Sequence, residues 1–185
     1  MARQALALAR DNPEVLRAAG VALAALAGEN EAALTALDRA IELNSNYALA
    51  HAQRGLVLAW LNRADEAIAA AERGMRLSSL NDPTIFAPYF ALSLAQLAAG
   101  RYEEALSWAD RALGSNAGLQ ALRIKLSLLG HLGRREEASE CLQRLRETYS
   151  APTVAAVMRD EAKGMSPEVA AHIAEGLRKA GLREG

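Results

Sequence analysis

One short phrase recurs four times along the chain and restricts it to a repetitive architecture. Its copies are G-E-N-E-A-A-L, N-R-A-D-E-A-I, G-R-Y-E-E-A-L and G-R-R-E-E-A-S, which begin at residues 28, 62, 100 and 133. The alanines at their sixth position, Ala33, Ala67, Ala105 and Ala138, are separated by 34, 38 and 33 residues. A period near 34 residues over four copies predicts a stack of similar units that share one continuous core.

Each unit is predicted to be a pair of helices joined by a tight turn. Hydrophobic residues make up 51% of the chain but aromatic residues only 4%, and the abundant alanine favours helix over strand. The Gly or Asn that opens each phrase lies at the turn, where it can adopt a left-handed conformation. Gly20 and Gly55 fall on the first helix of a pair, where a small residue lets two helix axes approach to about 8–10 Å.

This period divides the chain into three parts. Residues 1–11 are predicted to be the end of a truncated preceding repeat, so we expect the chain to belong to a longer protein. Four repeats follow in 12–150, at about 12–45, 46–80, 81–116 and 117–150, and residues 151–185 are predicted to form C-terminal capping helices. The third repeat has a longer linker with Pro83 and Pro88, for which we predict a separate turn over 82–87 and a regular helix from near Pro88. Helices are predicted near 13–27, 31–43, 47–61, 64–77, 84–99, 102–113, 118–132, 135–148, 154–163 and 167–180.

The repeated phrase and its spacing resemble the tetratricopeptide repeat (TPR) family over about residues 12–149. Serines stand where that family often has a proline after the second helix. The resemblance implies an all-α protein, a right-handed TPR superhelix of about four helical hairpins plus C-terminal helices, whose role is to bind other proteins.

A narrower resemblance covers Leu77 to Leu113, which reads L-S-x-x-x-D-P-x-x-F and then A-G-R-Y-E-E-A-L-x-W-A-D-R-A-L, together with the ending from Gly176 to Leu182. These stretches are similar to the C-terminal repeat region of bacterial signalling proteins. Such proteins carry a class III adenylate/guanylate cyclase domain or a winged-helix DNA-binding domain before the repeats. The resemblance implies a regulatory module that binds a partner or self-associates, but the motifs of neither output domain are present here.

Residues with catalytic or metal-binding chemistry are few and scattered. His51, His131 and His172 lie on three separate predicted helices in no metal-binding spacing. Cys141 is the only cysteine, which excludes an internal disulfide, and no histidine lies near it in sequence. Phosphate-binding glycine loops and nucleophile elbows are also absent from the sequence. We therefore expect no enzyme activity, no metal and no cofactor.

The charge distribution argues against nucleic acid, and no segment predicts membrane insertion. Twenty-one basic and 22 acidic residues give a formal charge of −1, without the basic stripe that tracking a phosphate backbone requires. The apolar stretch 18–28 imitates a signal sequence, but it lies inside the chain between acidic residues and is shorter than the about 20 residues that span a bilayer. We interpret it as a core helix, and we expect a cytoplasmic, reduced environment.

The expected binding site is the concave groove that the first helices line in this type of solenoid. Its central positions are Leu, Trp and Phe, with arginines at the ends, so the expected ligand is an apolar helix or an extended segment of a protein or peptide. A clamp for a C-terminal carboxylate, known in the family, is not supported. The predicted binding residues are Arg17, Val21, Ala24, Gln53, Leu56, Trp60, Phe90, Leu94, Arg123, Ser127 and His131.

Three questions stay open at this stage. Trp60 and Phe90 either anchor a partner or fill space between helices. The terminal helix, with Val169, Ile173 and Leu177 on one face, either caps the fourth repeat or lies in a groove, its own or that of a dimer mate. The groove itself binds either a protein or, as the alternative function, a small apolar ligand.

Overall fold

The computed structural model describes residues 11–79, 81–115, 118–149 and 152–185, and helices are the only regular secondary structure in these residues. Eight α-helices form four consecutive hairpins, as the repeat predicted. Two further α-helices follow, separated by one turn of 3₁₀ helix. The bounds are α1 Pro13–Ala22, extended by a π turn at Leu23–Ala27; α2 Asn30–Leu43; α3 Ala48–Trp60; α4 Ala64–Leu77; α5 Phe86–Ala98; α6 Tyr102–Gly114; α7 Gly118–Leu132; α8 Arg135–Thr148; α9 Val154–Glu161; the 3₁₀ turn Ala162–Gly164; and α10 Pro167–Lys179.

The predicted turn residues end the first helix of every hairpin. Gly28, Asn62, Gly100 and Gly133 all have φ between 61° and 72°, the left-handed region that glycine and asparagine adopt at helix ends. The amide of the next residue then donates to a carbonyl in the last turn of that helix, as Arg134 N does to Leu129 O at 3.0 Å. The first residue of each phrase therefore ends a helix, which explains why this residue is Gly or Asn.

Small side chains let the two helices of a hairpin cross closely. A Cβ added to Gly55 would lie 2.9 Å from the carbonyl oxygen of Ala67, and one on Gly20 would lie 3.0 Å from that of Ala33. In the third hairpin Ser93 holds the same position, and its hydroxyl donates to the corresponding alanine carbonyl at 3.0 Å. The alanines of the phrase are fully buried at these crossings, which accounts for their recurrence.

The π turn explains a one-residue irregularity in the period. Gly20 and Gly55 are 35 residues apart, whereas Ala33 and Ala67 are 34 apart. The first helix therefore has one residue more than its counterpart between the crossing and the turn. A π turn accommodates such an insertion because its i→i+5 hydrogen bond encloses one more residue than an α-helical bond.

Helix α5 begins between the two starts expected from the sequence, which were near residue 84 for the helix and near Pro88 for its regular part. We expected regular helix only from near Pro88, but α5 starts at Phe86, which places Pro88 at its third position. The first amides of a helix have no intrahelical acceptor, so a proline there removes no hydrogen bond. The separate turn before the helix is present, and Asp82 Oδ1 accepts from both the amide and the hydroxyl of Thr84 at 2.7 Å.

The C-terminal helices return to the hairpins. Ser166 caps α10 by accepting from Val169 N at 3.3 Å, and Pro167 occupies the first helical position, as predicted. Helix α10 packs along α7, the first helix of the fourth hairpin. The preceding 3₁₀ turn contacts the π turn of the first hairpin. We call residues 163–182, which make these contacts, the C-terminal arm.

Candidate functional site

The first helices α1, α3, α5 and α7 contact one another in order and form one surface of the stack, which we call the inner surface. All the residues predicted to bind a partner lie on these helices or on the π turn. The structure divides them by exposure. The half-buried residues are Arg17, Val21, Gln53, Leu56, Trp60 and His131, and the buried residues are Ala24, Phe90, Leu94, Arg123 and Ser127.

The half-buried residues of the first two hairpins form an open edge of the inner surface. Arg17 lies between helices and donates from Nε to the Tyr47 hydroxyl at 2.8 Å and from Nη1 to Gln53 Oε1 at 2.9 Å. Leu56 packs against the core with one side and remains partly exposed on the other. This part of the inner surface therefore presents apolar and hydrogen-bonding groups side by side.

The inner surface of the third and fourth hairpins is covered. Phe90 and Leu94 belong to the main hydrophobic core, where they are 7% and 1% exposed. Arg123 is 4% exposed, and its guanidinium lies 4.8 Å above the centre of the Tyr149 ring. Of the two basic ends predicted for the groove, only the Arg17 end is thus accessible in this conformation.

The C-terminal arm crosses the inner surface from the first hairpin to the fourth. At the first hairpin, Asn30 Nδ2 donates to the carbonyl oxygen of Gly164 at 2.7 Å. At the second, the Ser166 amide donates to the Trp60 carbonyl at 2.7 Å, and the Trp60 ring lies against Gly164 so closely that a Cβ there would be 2.9 Å from the ring. Trp60 therefore contacts a segment of its own chain.

At the third and fourth hairpins, polar side chains bind the arm through an aromatic cluster. The hydroxyl of Tyr102, the first residue of α6, is hydrogen-bonded to Nε2 of His172. His131 Nε2 donates to the His172 carbonyl oxygen at 2.8 Å, and its ring stacks on that of Tyr102 with centroids 4.5 Å apart. Ser127, fully buried beneath α10, donates to the Ile173 carbonyl at 2.9 Å.

Electrostatics at this cluster favour a neutral His172. Partial burial lowers the pKa of His172, and the neighbouring His131 lowers it further. Glu175 acts in the opposite direction, and Lys179 adds to the lowering. The contact between arm and hairpins thus contains a group that gains its proton only below the ordinary histidine pKa of 6.5.

Two glycines make the closest approach between α10 and α7. A Cβ added to Gly130 would overlap the carbonyl oxygen of Gly176, and one added to Gly176 would overlap the hydroxyl and carbonyl oxygens of Ser127. Val169, Ile173 and Leu177 place the apolar face of α10 in the core on either side of this crossing. Any other residue at either glycine would hold the two helices apart.

Cys141 is a structural thiol on α8. It is 5% exposed, and its Sγ lies 3.6 Å from the carbonyl oxygen of Leu122 on α7. Burial raises the pKa of the Cys141 thiol to about 11, which leaves almost no thiolate at neutral pH.

Among the described residues, no group of three or more His, Cys, Asp or Glu side chains could hold a metal ion. No helix in the described ranges is long and apolar enough to cross a membrane.

Three of the predicted residues, Trp60, Ser127 and His131, contact the arm, but the other residues that hold it were not identified from the sequence. Asn30, Tyr102 and Gly130 contribute from the hairpins, and Gly164, His172 and Gly176 contribute from the arm. Only the glycines carried a signal in the sequence. Gly130 and Gly176 lie inside helices, where glycine costs about 1 kcal/mol relative to alanine, so a close helix contact is the usual explanation.

Comparison with known proteins supports the repeat and the fold. The model of the TPR repeat family matches residues 25–62, from the π turn through α2 and α3. The crystal structure of YrrB, described as a TPR protein with an unusual peptide-binding site, aligns with 97% of this chain and 90% of its own, at a TM-score of 0.59 and 21% identity. A crystal structure of MamA aligns with 79% of this chain and 83% of its own, at a TM-score of 0.60 and 19% identity. The fold is that of a tetratricopeptide repeat solenoid.

This result confirms the predicted fold class of helical hairpins followed by C-terminal helices. A second MamA structure is 29% identical over 63% of this chain, at a TM-score of 0.49, and the solenoid spans only 61% of the length of that chain. No curated protein matches the sequence. The resemblance to cyclase-linked or winged-helix signalling proteins stays a prediction.

Proposed function

We propose that this TPR solenoid is a non-catalytic scaffold that binds an apolar helix or extended segment of another protein on its inner surface. One observation supports this above all: a helix already lies there. The 13 residues of α10 rest on α7 with their apolar face inward, and hairpin side chains bind the arm's backbone carbonyls. Hydrogen bonds to backbone carbonyls hold a segment in place largely independently of its side chains.

The residues proposed to bind the partner are the eleven predicted from the sequence. Arg17, Val21, Gln53 and Leu56 are accessible in this conformation and would make the first contact. The remaining seven are covered, wholly or in part, and would take part only if their surroundings moved. The peptide-binding site named in the description of YrrB supports a protein or peptide partner for a solenoid of this fold.

A sensor for a small apolar ligand has less support. Such a sensor requires an enclosed cavity beside Trp60 and Phe90. Phe90 is instead part of the hydrophobic core, and the Trp60 ring lies against the backbone of Gly164. Contacts within the protein therefore occupy at least one side of each of these two side chains.

The biological setting belongs to the same proposal. The resemblance noted in the sequence favours a regulatory module of a larger bacterial signalling protein, located in the cytoplasm, that binds a partner or a second copy of itself. Size-exclusion chromatography with light scattering on the purified chain distinguishes the last two. A monomer that captures another protein supports partner binding, and a stable dimer supports self-association.

Two leucine substitutions test the inner surface. Proteins from the source organism are captured on the immobilised chain, and the captured partner is then purified and its affinity measured for each variant. Leu56→Gln places a polar group on the open part of the inner surface, whereas Leu43→Gln makes the same change at a leucine that is 37% exposed at the end of α2. We expect binding to fall with Leu56→Gln alone. Unchanged binding by a correctly folded Leu56→Gln chain would refute the assignment to the inner surface.

A further inference from the structure

The C-terminal arm occupies the surface on which the proposed function places the partner. Its contacts run in order from Asn30 on the first hairpin, through Trp60 and Tyr102, to Ser127 and His131 on the fourth. A helical partner that bound the same surface would meet the arm over this whole length. Partner and arm therefore exclude each other.

The two ends of the arm fit the solenoid unequally. At the fourth hairpin the crossing of Gly130 and Gly176 admits no added carbon atom, and the buried hydroxyl of Ser127 has an acceptor. At the first two hairpins, Asn30 and Trp60 both contact Gly164, yet Asn30 Oδ1 and Trp60 Nε1 are buried without any hydrogen-bond partner among the described residues. Unpaired buried polar atoms weaken a contact, because each gave up a hydrogen bond to water.

We infer that the arm is an intramolecular competitor for a partner helix that has the same residue pattern as the arm. In this pattern, two apolar residues are separated by three other residues. Two further residues then precede a glycine, and an apolar residue directly follows that glycine. This inference rests on the proposed function. The pattern is that of Val169, Ile173, Gly176 and Leu177, and its glycine is required because Gly130 and Ser127 leave no room for a Cβ. The partner differs from the arm before this helix, where its backbone offers a donor to Asn30 Oδ1 and an acceptor to Trp60 Nε1.

The occupant is a different protein and not a second copy of this chain. Because the arm is tethered to the solenoid, it competes as strongly as a free arm peptide would at a concentration on the order of millimolar. An identical arm from a second copy makes identical contacts, so it cannot displace the tethered one at micromolar protein concentrations. A segment that also pairs the two polar atoms makes additional hydrogen bonds and can displace it.

The test uses the full chain and a fluorescent peptide with the sequence of residues 163–182. Gly176→Leu prevents the arm from seating, and Ala171→Leu introduces the same side chain on the exposed face of α10 as a matched control. We expect Gly176→Leu to bind the peptide at least about ten-fold more tightly than the wild type does, because the tethered competitor is removed. Ala171→Leu should behave like the wild type, and a peptide carrying leucine at the position of Gly176 should bind none of them.

Cys141 reports whether the solenoid stays folded in these variants. Its thiol faces Leu122 between the two helices of the fourth hairpin, so release of the arm alone should leave it protected, whereas unfolding of the hairpin exposes it to a thiol reagent. A protected Gly176→Leu chain that fails to bind the peptide overturns the inference. Equal binding of the peptide by the wild type overturns it as well, since the surface would then not be occupied.

If Gly176→Leu exposes Cys141, hydrogen exchange of the wild type decides the question. We expect the amides of α10 to exchange through an opening that leaves the amides of α7 protected. Exchange of α10 and α7 in one cooperative step overturns the inference, and so does a wild-type dimer whose arms have exchanged. In one further outcome, the captured partner binds the wild type and Gly176→Leu equally but fails to bind Leu56→Gln. That result would support the scaffold function and refute the proposed competition by the arm.

Discussion

Leu56 in the second hairpin and Ser127 in the fourth hold equivalent positions, eleven residues before the alanine of the phrase that follows. Leu56 is half-buried on the open part of the inner surface, whereas Ser127 is fully buried beneath α10. The leucine contributes apolar area, and the serine donates its hydroxyl to a helix carbonyl. The repeat thus determines where a residue lies on the solenoid, but the C-terminal arm determines what that residue contacts.

Trp60 and His131 are also equivalent, each seven residues before that alanine, and both contact the arm. Trp60 packs on the non-helical residues around Gly164, whereas His131 binds the helical carbonyl of His172. The difference between the two halves of the inner surface is therefore not whether the arm is present. It is whether the arm arrives as a helix whose backbone carbonyls accept hydrogen bonds from Ser127 and His131.

The largest expected effect distinguishes a glycine at a helix crossing, Gly130, from a glycine with open space around it, Gly114. Gly130→Ala should lower the free energy of unfolding by about 2–3 kcal/mol, because its Cβ overlaps the Gly176 carbonyl in the covered half. Gly114→Ala, at the end of α6 with no atom within 4 Å of the added Cβ, should be neutral or stabilise by up to about 1 kcal/mol. Urea unfolding of both variants measures the difference. Equal effects would show that α10 does not approach α7 as described.

A buried hydrogen bond gives the next effect. Ser127→Ala leaves the Ile173 carbonyl without its side-chain donor and should cost about 1 kcal/mol. Ser139→Ala on α8 removes an exposed hydroxyl and should change stability by less than about 0.5 kcal/mol. The same unfolding measurement compares them. A loss in the first variant that is no greater than in the second would mean that Ser127 does not anchor the arm.

The hairpins were predictable from the sequence because their signals are local. A left-handed residue ends each first helix, an alanine marks each crossing, and both recur at the repeat period. The spacing of Val169, Ile173 and Leu177 likewise predicted the apolar face of α10. What this face covers was not predictable, because the contact between Gly176 and Gly130 joins residues far apart in the chain and no repeat relates them. The regular part of α5 begins earlier than expected, because Pro88 does not mark its beginning. A proline is as acceptable at the third helical position as at the first, since the amide at neither position has an intrahelical acceptor.

The pH dependence of arm binding should follow His172. Its pKa is lowered in the folded chain, so the unfolded state binds the proton more readily. The stability that the neutral ring contributes is fully present above the ordinary histidine pKa of 6.5 and is lost as the pH falls below it. Hydrogen exchange at about pH 7.5 and about pH 5.5 should show faster exchange of α10 at the lower pH, after correction for the intrinsic rate. His172→Gln should remove this dependence, and His51→Gln, on α3 away from the arm, should retain it; any other result would exclude His172 as its cause.

The smallest expected effect lies in the open half. Arg17→Ala removes two hydrogen bonds, to the Tyr47 hydroxyl and to Gln53 Oε1, but water can replace the guanidinium at this half-buried position. The cost should stay below about 1 kcal/mol, a shift of the thermal midpoint of at most about 4 °C for a chain of this size. Arg76→Ala, which breaks an exposed pair with Glu72, is the matched control and should cost still less. The open half should tolerate such changes because, among the described residues, α10 lies on the fourth hairpin and not on this part of the inner surface. If Arg17→Ala cost as much as Gly130→Ala, the open half would be as tightly organised as the covered half, and the contrast between them would not hold.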